Sequence, residues 1–272
     1  MTTYDSRWAI DFQPHTRAYD QLRVLLDYYR PLEDLTHCVD IVNAYAPLER
    51  YKLVLAPGLN VIPEDLARHL ADYVRAGGAL LLGPRSGMKD QFNRLDSRRQ
   101  PGPLVDLLGG RVEQFYALDE RLVVSGQAGV GTASIWAEDL SVQSRDTKVI
   151  LRYGQNRTWL SGEPAAIRRE YGNGTVTYLG TLLDPALMSV FVKRALDAAH
   201  VGSVFGPLPP DVELMRRVGD GRDTFVLINH GKQERSVELP ADMHDVLGGN
   251  RTIREITLAS QGVAVLGQRH AR

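Results

Sequence analysis

The sequence predicts an α/β fold with a parallel sheet, followed by a small C-terminal antiparallel β domain. Over residues 1–205, short apolar runs alternate with helical patterns, whereas the patterned runs after residue 206 are all strand-like. The proline-rich segment 206–210 lies between the two parts and has the composition of a linker. We therefore expect an α/β domain at residues 1–205 and an antiparallel β domain at residues 206–272.

The first predicted element is an amphipathic helix over residues 17–29. Its apolar positions share helical spacing and are Leu22, Leu25, Leu26 and Tyr29. Proline lacks the backbone N–H that a helix interior needs, so Pro31 is expected to stop this helix.

Three apolar runs predict buried parallel strands, at residues 39–42, Leu53–Ala56 and Ala79–Leu82. Between the last two, Pro63 suits a first helical position, and Leu66 begins an apolar stripe that continues to Val74. Strand and helix thus alternate in the order of a doubly wound sheet.

The later elements of this domain are predicted from short local patterns. They are a short helix at residues 104–108, a strand at 111–115, a hairpin joining 167–171 to 175–179, and a helix at 185–199. The hairpin turn Gly172-Asn173-Gly174 contains residues that tolerate positive φ. Residues 123–150 contain β-prone pieces whose order the sequence does not determine.

The C-terminal domain is predicted to contain strands alone. They lie at residues 212–218, 224–228, 236–239, 253–258 and 263–266, with a tight turn at Gly219-Asp220-Gly221. About 65 residues is near the lower limit for an independent core.

The composition argues against nucleic acid and membranes as partners of this chain. The 32 Lys and Arg residues are balanced by 33 Asp and Glu residues, so neither nucleic acid nor an anionic membrane surface is expected to bind. No apolar run approaches the roughly 18–20 residues of a spanning helix. The N-terminus lacks the pattern of a signal peptide, and the single cysteine, Cys38, cannot form an internal disulfide, so a cytoplasmic location is expected.

No cofactor or metal is expected. The seven histidines are scattered, without a pair at metal-ligand spacing. Cys38 lies beside a predicted strand, and the favoured interpretation is packing in the core.

The best candidate site is the loop that follows the run Ala79–Leu82, because open α/β sheets bind ligands at the carboxyl ends of parallel strands. Ser86 is its geometric candidate for a nucleophile, although Arg85 stands where a nucleophile elbow has Ser or Cys. We name Arg85, Ser86 and Asn93 as candidate substrate-binding residues and Asp90 as the suspected catalytic carboxylate. The favoured interpretation remains a sharp turn without catalysis.

Two pairs of adjacent acids, Asp119-Glu120 and Glu138-Asp139, contain the two carboxylates that glycoside hydrolysis requires. Adjacent acids in turns are usually solvated, so catalysis at either pair is the minority interpretation. Trp136 and Trp159 could stack on sugar rings, with burial in the core or an interface as the default.

A series of motifs resembles the middle and C-terminal domains of family 42 β-galactosidases. In chain order they are WAIDFQP at 8–14, YYRPL at 28–32, VDIV at 39–42, YKLVLAP at 51–57, GGALL at 77–81, RSGMKD at 85–90, GPL at 102–104, LLG at 107–109, EYGNG at 170–174, YLGT at 178–181, LPPDVE at 208–213 and FVLINH at 225–230. Each motif is weak alone, but their order and spacing agree over nearly the whole chain.

The resemblance implies a flavodoxin-like or amidotransferase-like domain that mediates trimerisation, followed by a small β domain. In that family the catalytic glutamates belong to an N-terminal (β/α)8 barrel, which needs roughly 250 residues and is absent from this sequence. No catalytic residue can therefore be transferred to this chain.

Three functions remain open from the sequence. The leading hypothesis is an assembly module that forms a homo-oligomer, most simply a trimer, and is either a fragment of a β-galactosidase or the partner of a separately encoded catalytic barrel. The second is a self-sufficient glycosidase that acts on galactosides with its own carboxylate pair. The third is a carbohydrate-binding module that uses Trp136, Trp159 or the tyrosines.

Overall fold

The computed structural model describes residues 1–219 and 221–269. Its helices are α1 (Tyr4–Phe12), α2 (Gln21–Thr36), α3 (Glu64–Arg75), α4 (Val105–Leu108) and α5 (Pro185–Ala198). The strands of the first sheet are β1 (Leu53–Ala56), β2 (Ala79–Leu82), β3 (Gly110–Ala117), β4 (Leu122–Gly126), β5 (Gly129–Val142), β6 (Thr147–Tyr153), β7 (Pro164–Tyr171), β8 (Gly174–Leu179) and β9 (Thr181–Leu183). The strands of the second sheet are β10 (Val212–Gly219), β11 (Arg222–Asn229), β12 (Arg235–Asp245), β13 (Arg251–Leu258) and β14 (Val263–Arg269).

The chain divides into two compact units. One unit contains Met1–Pro31 and Ile41–Val201, and the other contains Leu32–Asp40 and the residues from Gly202 onward. The fold is therefore a mixed sheet with helices plus a second, smaller antiparallel sheet.

The large sheet is mixed rather than parallel throughout. Within the described residues its strand order is β1-β2-β8-β7-β6-β4-β5-β3, with β9 paired to β5. Parallel pairing joins β1 to β2 and β2 to β8, while the remaining neighbours are antiparallel. The parallel arrangement predicted from the sequence thus occupies one end of the sheet.

The strand predicted at residues 39–42 does not form. Thr2 N donates to Val42 O at 3.2 Å, and Thr2 forms an isolated parallel bridge with the next residue, Asn43. A strand needs a hydrogen-bonding neighbour along its length, and an apolar β-prone run without one stays irregular.

Helix α2 also differs from its prediction, because it begins at Gln21 and continues through Pro31 to Thr36. Its buried side carries Gln21, Val24, Tyr28 and Pro31, whereas Leu22 is 55% exposed. The Gln21 amide donates to Pro57 O at 3.0 Å, which fixes this register. The sequence of α2 contains two overlapping apolar stripes. The hydrogen bond of the buried Gln21 side chain selects the stripe that contains Val24 and Tyr28.

Several local predictions are confirmed. Helix α3 buries its predicted stripe, including Leu66, Leu70 and Val74, against the sheet core. The hairpin β7–β8 pairs Tyr171 with Gly174, and a Cβ at Gly174 would lie 2.2 Å from Val74 O, so only glycine fits there.

Residues 123–150, whose order the sequence left open, form β4, the long strand β5 and the start of β6. The 14 residues of β5 pair with β3, β4 and β9. This strand contains Glu138, a fully buried polar residue of the candidate site.

The second sheet has the order β10-β11-β14-β12-β13, and all its described pairings are antiparallel, as predicted. Its core is formed by alternating inward residues such as Leu214, Phe225, Leu227 and Leu266. Gly219 pairs with Arg222 across the predicted turn, whose residue Asp220 lies outside the described residues.

Candidate functional site

The loop after β2 makes a sharp turn directly after the strand. Arg85 has a φ of 65°, the left-handed conformation that a nucleophile elbow imposes on its Ser or Cys. The side chain of Ser86 is buried, and its Oγ donates to Gly83 O at 2.7 Å. Ser86 therefore stabilises the turn from inside and is not presented to a substrate.

The Arg85 side chain is also fully buried, in contrast to the solvent-facing role expected of a substrate-binding arginine. Its guanidinium lies over the rings of Tyr19 and Trp136, 4.9 Å and 5.0 Å from their centroids. It donates to Gln13 O at 2.7 Å and to Pro14 O at 3.1 Å. Cation–π contacts and carbonyl acceptors thus replace the water that this charge gives up.

Glu138 lies directly below this turn, on β5, and is fully buried. Its Oε1 accepts hydrogen bonds from Arg85 N at 2.8 Å, Gln100 Nε2 at 2.9 Å and Trp136 Nε1 at 2.9 Å. Its Oε2 accepts from Tyr178 Oη at 2.8 Å. We call these five residues, Glu138, Arg85, Gln100, Trp136 and Tyr178, the Glu138 cluster.

The position of Glu138 corrects the expectation that the Glu138-Asp139 pair lies in a solvated turn. Trp136, Glu138 and Leu140 alternate along β5 and are all buried, so the carboxylate faces the core. This period of two is the signal in the sequence that could have identified Glu138. Asp119 and Glu120, by contrast, are exposed as expected.

Burial raises the pKa of the Glu138 carboxyl, while hydrogen bonds from Trp136, Tyr178, Arg85 and Gln100 act in the opposite direction. A raised pKa is a property of general acids, but a general acid must also reach its substrate. Glu138 has no exposed surface, and both of its oxygens are occupied by the cluster. The cluster is suited to holding the β2 turn on the sheet, and not to proton transfer with a ligand.

Asp90 and Asn93 lie in an exposed part of the same loop. Asp90 Oδ1 accepts from Phe92 N at 2.9 Å and from Arg94 N at 3.0 Å, and its Oδ2 accepts from Arg94 Nε at 3.0 Å. The hydrogen bond from the Arg94 backbone is the main cause that lowers the pKa of Asp90. Asn93 closes the turn with a φ of 61°.

This geometry favours a turn-stabilising role for Asp90, since retaining hydrolysis requires one carboxyl group with a raised pKa. The structure thus brings Arg85 and Ser86 together beneath the surface and places Asp90 and Asn93 in a self-contained turn at the surface. Lys89 connects the two regions by donating to Gln13 Oε1 and to Asn93 O, the latter at 3.3 Å.

Two other predicted residues lie in unexpected environments. Cys38 is exposed and lies outside any strand, because the strand expected beside it does not form. Trp159 is 50% exposed and packs edge-on against Tyr116, with ring centroids 3.6 Å apart. Trp136, in contrast, is buried as the default interpretation expected.

A surface cleft of about 290 Å³ lies beside α5 and is lined in part by Arg168, Thr177, Phe191 and Arg194. Asp197 is the carboxylate in its lining, so this cleft does not contain the pair that glycoside hydrolysis uses. Among residues 1–219 and 221–269, no group of three or more His, Cys, Asp or Glu side chains is placed to hold a metal ion. No helix in this described part of the chain is long and apolar enough to cross a membrane.

The exposed face of α1 carries three aromatic side chains. Tyr4, Trp8 and Phe12 are spaced four residues apart and are 68%, 54% and 76% exposed. This spacing puts the three rings on one side of the helix, while Ala9 and Ile10 on the other side are buried. A row of exposed aromatic side chains is typical of a protein interface.

The comparisons with known proteins agree on one family. A family model described as the beta-galactosidase trimerisation domain matches residues 3–202, and one described as the beta-galactosidase C-terminal domain matches residues 211–268. Over 211 residues the chain is 34% identical to the β-galactosidase Bga of Halorubrum lacusprofundi, a match that covers 73% of this chain and 30% of that relative. BgaH of Haloferax lucentense is 35% identical over 218 residues, a match that covers 79% of this chain and 32% of that relative.

Solved structures give the same result for the fold. A β-galactosidase from Rahnella sp. R3 superposes with a TM-score of 0.86 at 25% identity, covering 99% of this chain and 40% of that protein. A β-galactosidase from Bacillus circulans sp. alkalophilus gives a TM-score of 0.91 at 21% identity, covering 98% of this chain and 40% of that protein. The chain thus spans about a third of the sequence relatives and two fifths of these structures.

Proposed function

Since the chain belongs to the β-galactosidase trimerisation-domain family and continues into that family's C-terminal domain, we propose that it is an assembly module which forms a trimer. The resemblance noted in the sequence is confirmed by both family models. The observation that carries the proposal is the aromatic row Tyr4, Trp8 and Phe12 on α1, in which each residue is more than half exposed.

The proposed trimer would be a closed ring with head-to-tail contacts. In such a ring each copy presents two different surfaces, and the α1 row would supply one of them. Aromatic side chains dominate the buried centres of stable interfaces, and Tyr4 and Trp8 already support each other with ring centroids 5.8 Å apart.

Light scattering during size-exclusion chromatography tests this proposal. We expect a mass near three times the 30.2 kDa of one chain at tens of micromolar, falling on dilution. A single 30.2 kDa species over the whole concentration range would contradict it.

We also propose that the module serves a galactoside-hydrolysing assembly, in which a catalytic barrel outside this sequence performs the reaction. The relatives are named β-galactosidases, and the chain spans only about a third of their length. The purified chain alone is expected to leave a chromogenic galactoside intact. Turnover that disappears in Asp90→Asn would support the self-sufficient glycosidase instead.

A sugar-binding function is the second candidate, and the exposed Trp159 on Tyr116 favours it, because carbohydrate rings stack on such platforms. Galactose should then quench tryptophan fluorescence in a saturable way, and Trp159→Ala should abolish the response. Equal responses in both proteins would exclude this platform.

The boundary between the domains is proposed at residues 205/206. It is supported by the change from a mixed to an antiparallel sheet and by the interval between the two family models, residues 203–210. Limited proteolysis should give a stable product that ends near residue 205. A stable product ending near residue 150 would contradict this boundary.

The finer fold proposed for the α/β domain is flavodoxin-like or amidotransferase-like. The parallel strands β1, β2 and β8, the helix α3 between the first two, and the left-handed Arg85 after β2 support it. A crystal structure in which β1, β2 and β8 pair in another order would contradict this assignment.

A further inference from the structure

The cleft of about 290 Å³ lies between one face of the large sheet and the C-terminal half of α5. Strands β6, β7 and β8 contribute Ile150, Arg168 and Thr177, and α5 contributes Phe191 and Arg194. This volume is close to the ~300 Å³ at which pockets for small organic molecules begin. The lining residues belong to the larger compact unit, so one unit forms the cleft by itself.

The pairing of β7 determines the direction of Arg168. The preceding residue, Ile167, is fully buried in the main core, and side chains alternate between the two faces of a strand. Arg168 therefore lies on the opposite face, where it lines the cleft beside α5. Across the antiparallel pairs its neighbours are Lys148 on β6 and Thr177 on β8, which share this face. The sheet thus brings two cationic side chains and a hydroxyl to one surface.

Helix α5 supplies the apolar wall and a second guanidinium group. Phe191, Arg194, Ala195 and Ala198 are three or four residues apart, so they share one side of the helix. Phe191 is only 6% exposed, and its side chain forms apolar lining. Because Arg194 is exposed, its guanidinium can reach a ligand in the cleft from the solvent side.

The cleft carries an excess of positive charge. Within the part of the chain that the structure describes, the side chains of Arg168 and Arg194 make no hydrogen bond or ion pair. Asp197 is the carboxylate of the lining, and its two oxygens accept from Lys193 Nζ at 3.0 Å and 2.9 Å. This acid is therefore occupied by another cation, and a cleft lined by unpaired guanidinium groups attracts an anion.

The neighbouring Arg169 shows how this chain satisfies a half-buried guanidinium elsewhere. It lies on the opposite face of β7, donates to Asp106 O at 2.5 Å and forms an ion pair with Asp146 at 3.9 Å. Arg168 is also half-buried, but it has no such acceptor among the described residues. A partly desolvated charge without an acceptor is costly, and an anionic ligand would remove that cost.

We propose that this cleft binds a small organic oxyanion, namely a carboxylate or phosphate group joined to an apolar body. Arg168 and Arg194 hold the oxyanion, because a guanidinium donates two parallel hydrogen bonds to a carboxylate or a phosphate. The Thr177 hydroxyl adds a donor, and the apolar body lies against Phe191. Binding at this cleft does not depend on the proposed assembly function.

Saturation-transfer NMR on the full chain tests the proposal with benzoate, phenyl phosphate, benzyl alcohol and acetate. Benzoate and phenyl phosphate carry both required parts, whereas benzyl alcohol lacks the charge and acetate lacks the ring. At least one of the two complete probes should bind saturably and ~10-fold or more tighter than either incomplete probe, since hydrogen bonds to charged groups are strong. The complete probe that binds more tightly identifies the oxyanion.

Three variants locate the binding. Arg168→Gln and Arg194→Gln should each weaken binding of the tighter probe by ~10-fold or more, because each removes a charge-assisted hydrogen bond. The matched control is Arg121→Gln, since Arg121 is an exposed arginine of the same unit outside the cleft lining, and it should leave the affinity unchanged. Circular dichroism checks that each variant is folded. Arg194 is exposed on α5, so Arg194→Gln tests the proposal even where Arg168→Gln fails to fold.

Four outcomes would overturn the proposal. Two of them are the absence of saturable binding by both complete probes at millimolar concentrations, and benzyl alcohol binding as tightly as the complete probes. The third is acetate binding as tightly as the complete probes, since the apolar wall would then have no role. The fourth is a loss of affinity in Arg121→Gln as large as that in Arg194→Gln, which would indicate a general response to surface charge.

Discussion

Two aromatic-rich regions of the larger unit differ in how their side chains are partnered. In the Glu138 cluster, Trp136 and Tyr178 are buried and donate hydrogen bonds to one carboxylate. On α1, Trp8 and Phe12 are exposed by 54% and 76%. The first region is completed by its own chain, whereas the second leaves apolar area uncovered by the described residues.

The two regions differ in what they contribute: the Glu138 cluster stabilises the folded chain, whereas the α1 aromatic row is proposed to form an interface. A buried carboxylate with four donors is costly to disturb, since each donor would lose its partner in the core. Exposed aromatic residues contribute little to the folded state of a single chain, but they dominate the binding energy when an interface forms. Substitutions in the two regions should therefore change different measurements.

Replacing Glu138 with alanine should give the largest effect. Arg85 N–H, Gln100 Nε2, Trp136 Nε1 and Tyr178 Oη would all lose their acceptor, so a loss of ~3–5 kcal/mol in the free energy of unfolding is expected. Urea denaturation measures it.

The matched control is Glu138→Gln, which keeps the size and one carbonyl acceptor. It should cost only ~1–2 kcal/mol, because the three donors on Oε1 retain a partner. Equal losses in the two variants would show that the charge, and not the hydrogen-bond network, dominates the cluster.

A buried charge with few partners should behave differently from Glu138. The amino group of Met1 has a pKa of about 6 in the folded chain and a reference value of 8.0. The folded state therefore binds this proton more weakly than the unfolded state, and stability should rise as pH increases from about 6 to 8.

The rise attributable to Met1 should be about 1–3 kcal/mol, because folding lowers this pKa from 8.0 to about 6. Urea denaturation at several pH values, on free and N-acetylated protein, isolates this contribution from the histidines. An identical pH dependence in both forms would show that the amino group is not buried as described.

The smallest effect is expected at Asp90. Its carboxylate is hydrogen-bonded within an exposed turn, so Asp90→Asn should leave the oligomer intact and shift the thermal midpoint too little to resolve. A large loss of stability would mean that this turn, like the Glu138 cluster, holds the sheet together.

The sequence predicts elements whose signals are local. The α3 stripe, the Gly172-Asn173-Gly174 hairpin and the strands after residue 212 are confirmed because each pattern is complete within its own segment. The prediction of a strand at residues 39–42 is wrong. A strand must pair with a neighbouring strand, and a local sequence pattern does not show whether one is present.

The candidate site was harder to predict because its partners come from distant parts of the chain. Glu138 meets Arg85, Gln100 and Tyr178 only when β5, the β2 turn and β8 come together. The sequence analysis singled out the loop containing Arg85 and Ser86, and both of these side chains are buried. Local patterns could place the turn but not the direction of its side chains.

The most direct test of the account is sedimentation velocity of the parent chain beside Trp8→Lys and Val130→Lys at tens of micromolar. Val130 is 74% exposed and lies on β5, away from α1 in sequence, so it is a matched control. We expect the parent and Val130→Lys to sediment as trimers and Trp8→Lys as a 30.2 kDa monomer that still unfolds cooperatively. A parent chain that sediments as a monomer, or a Trp8→Lys variant that remains a trimer, would contradict the account.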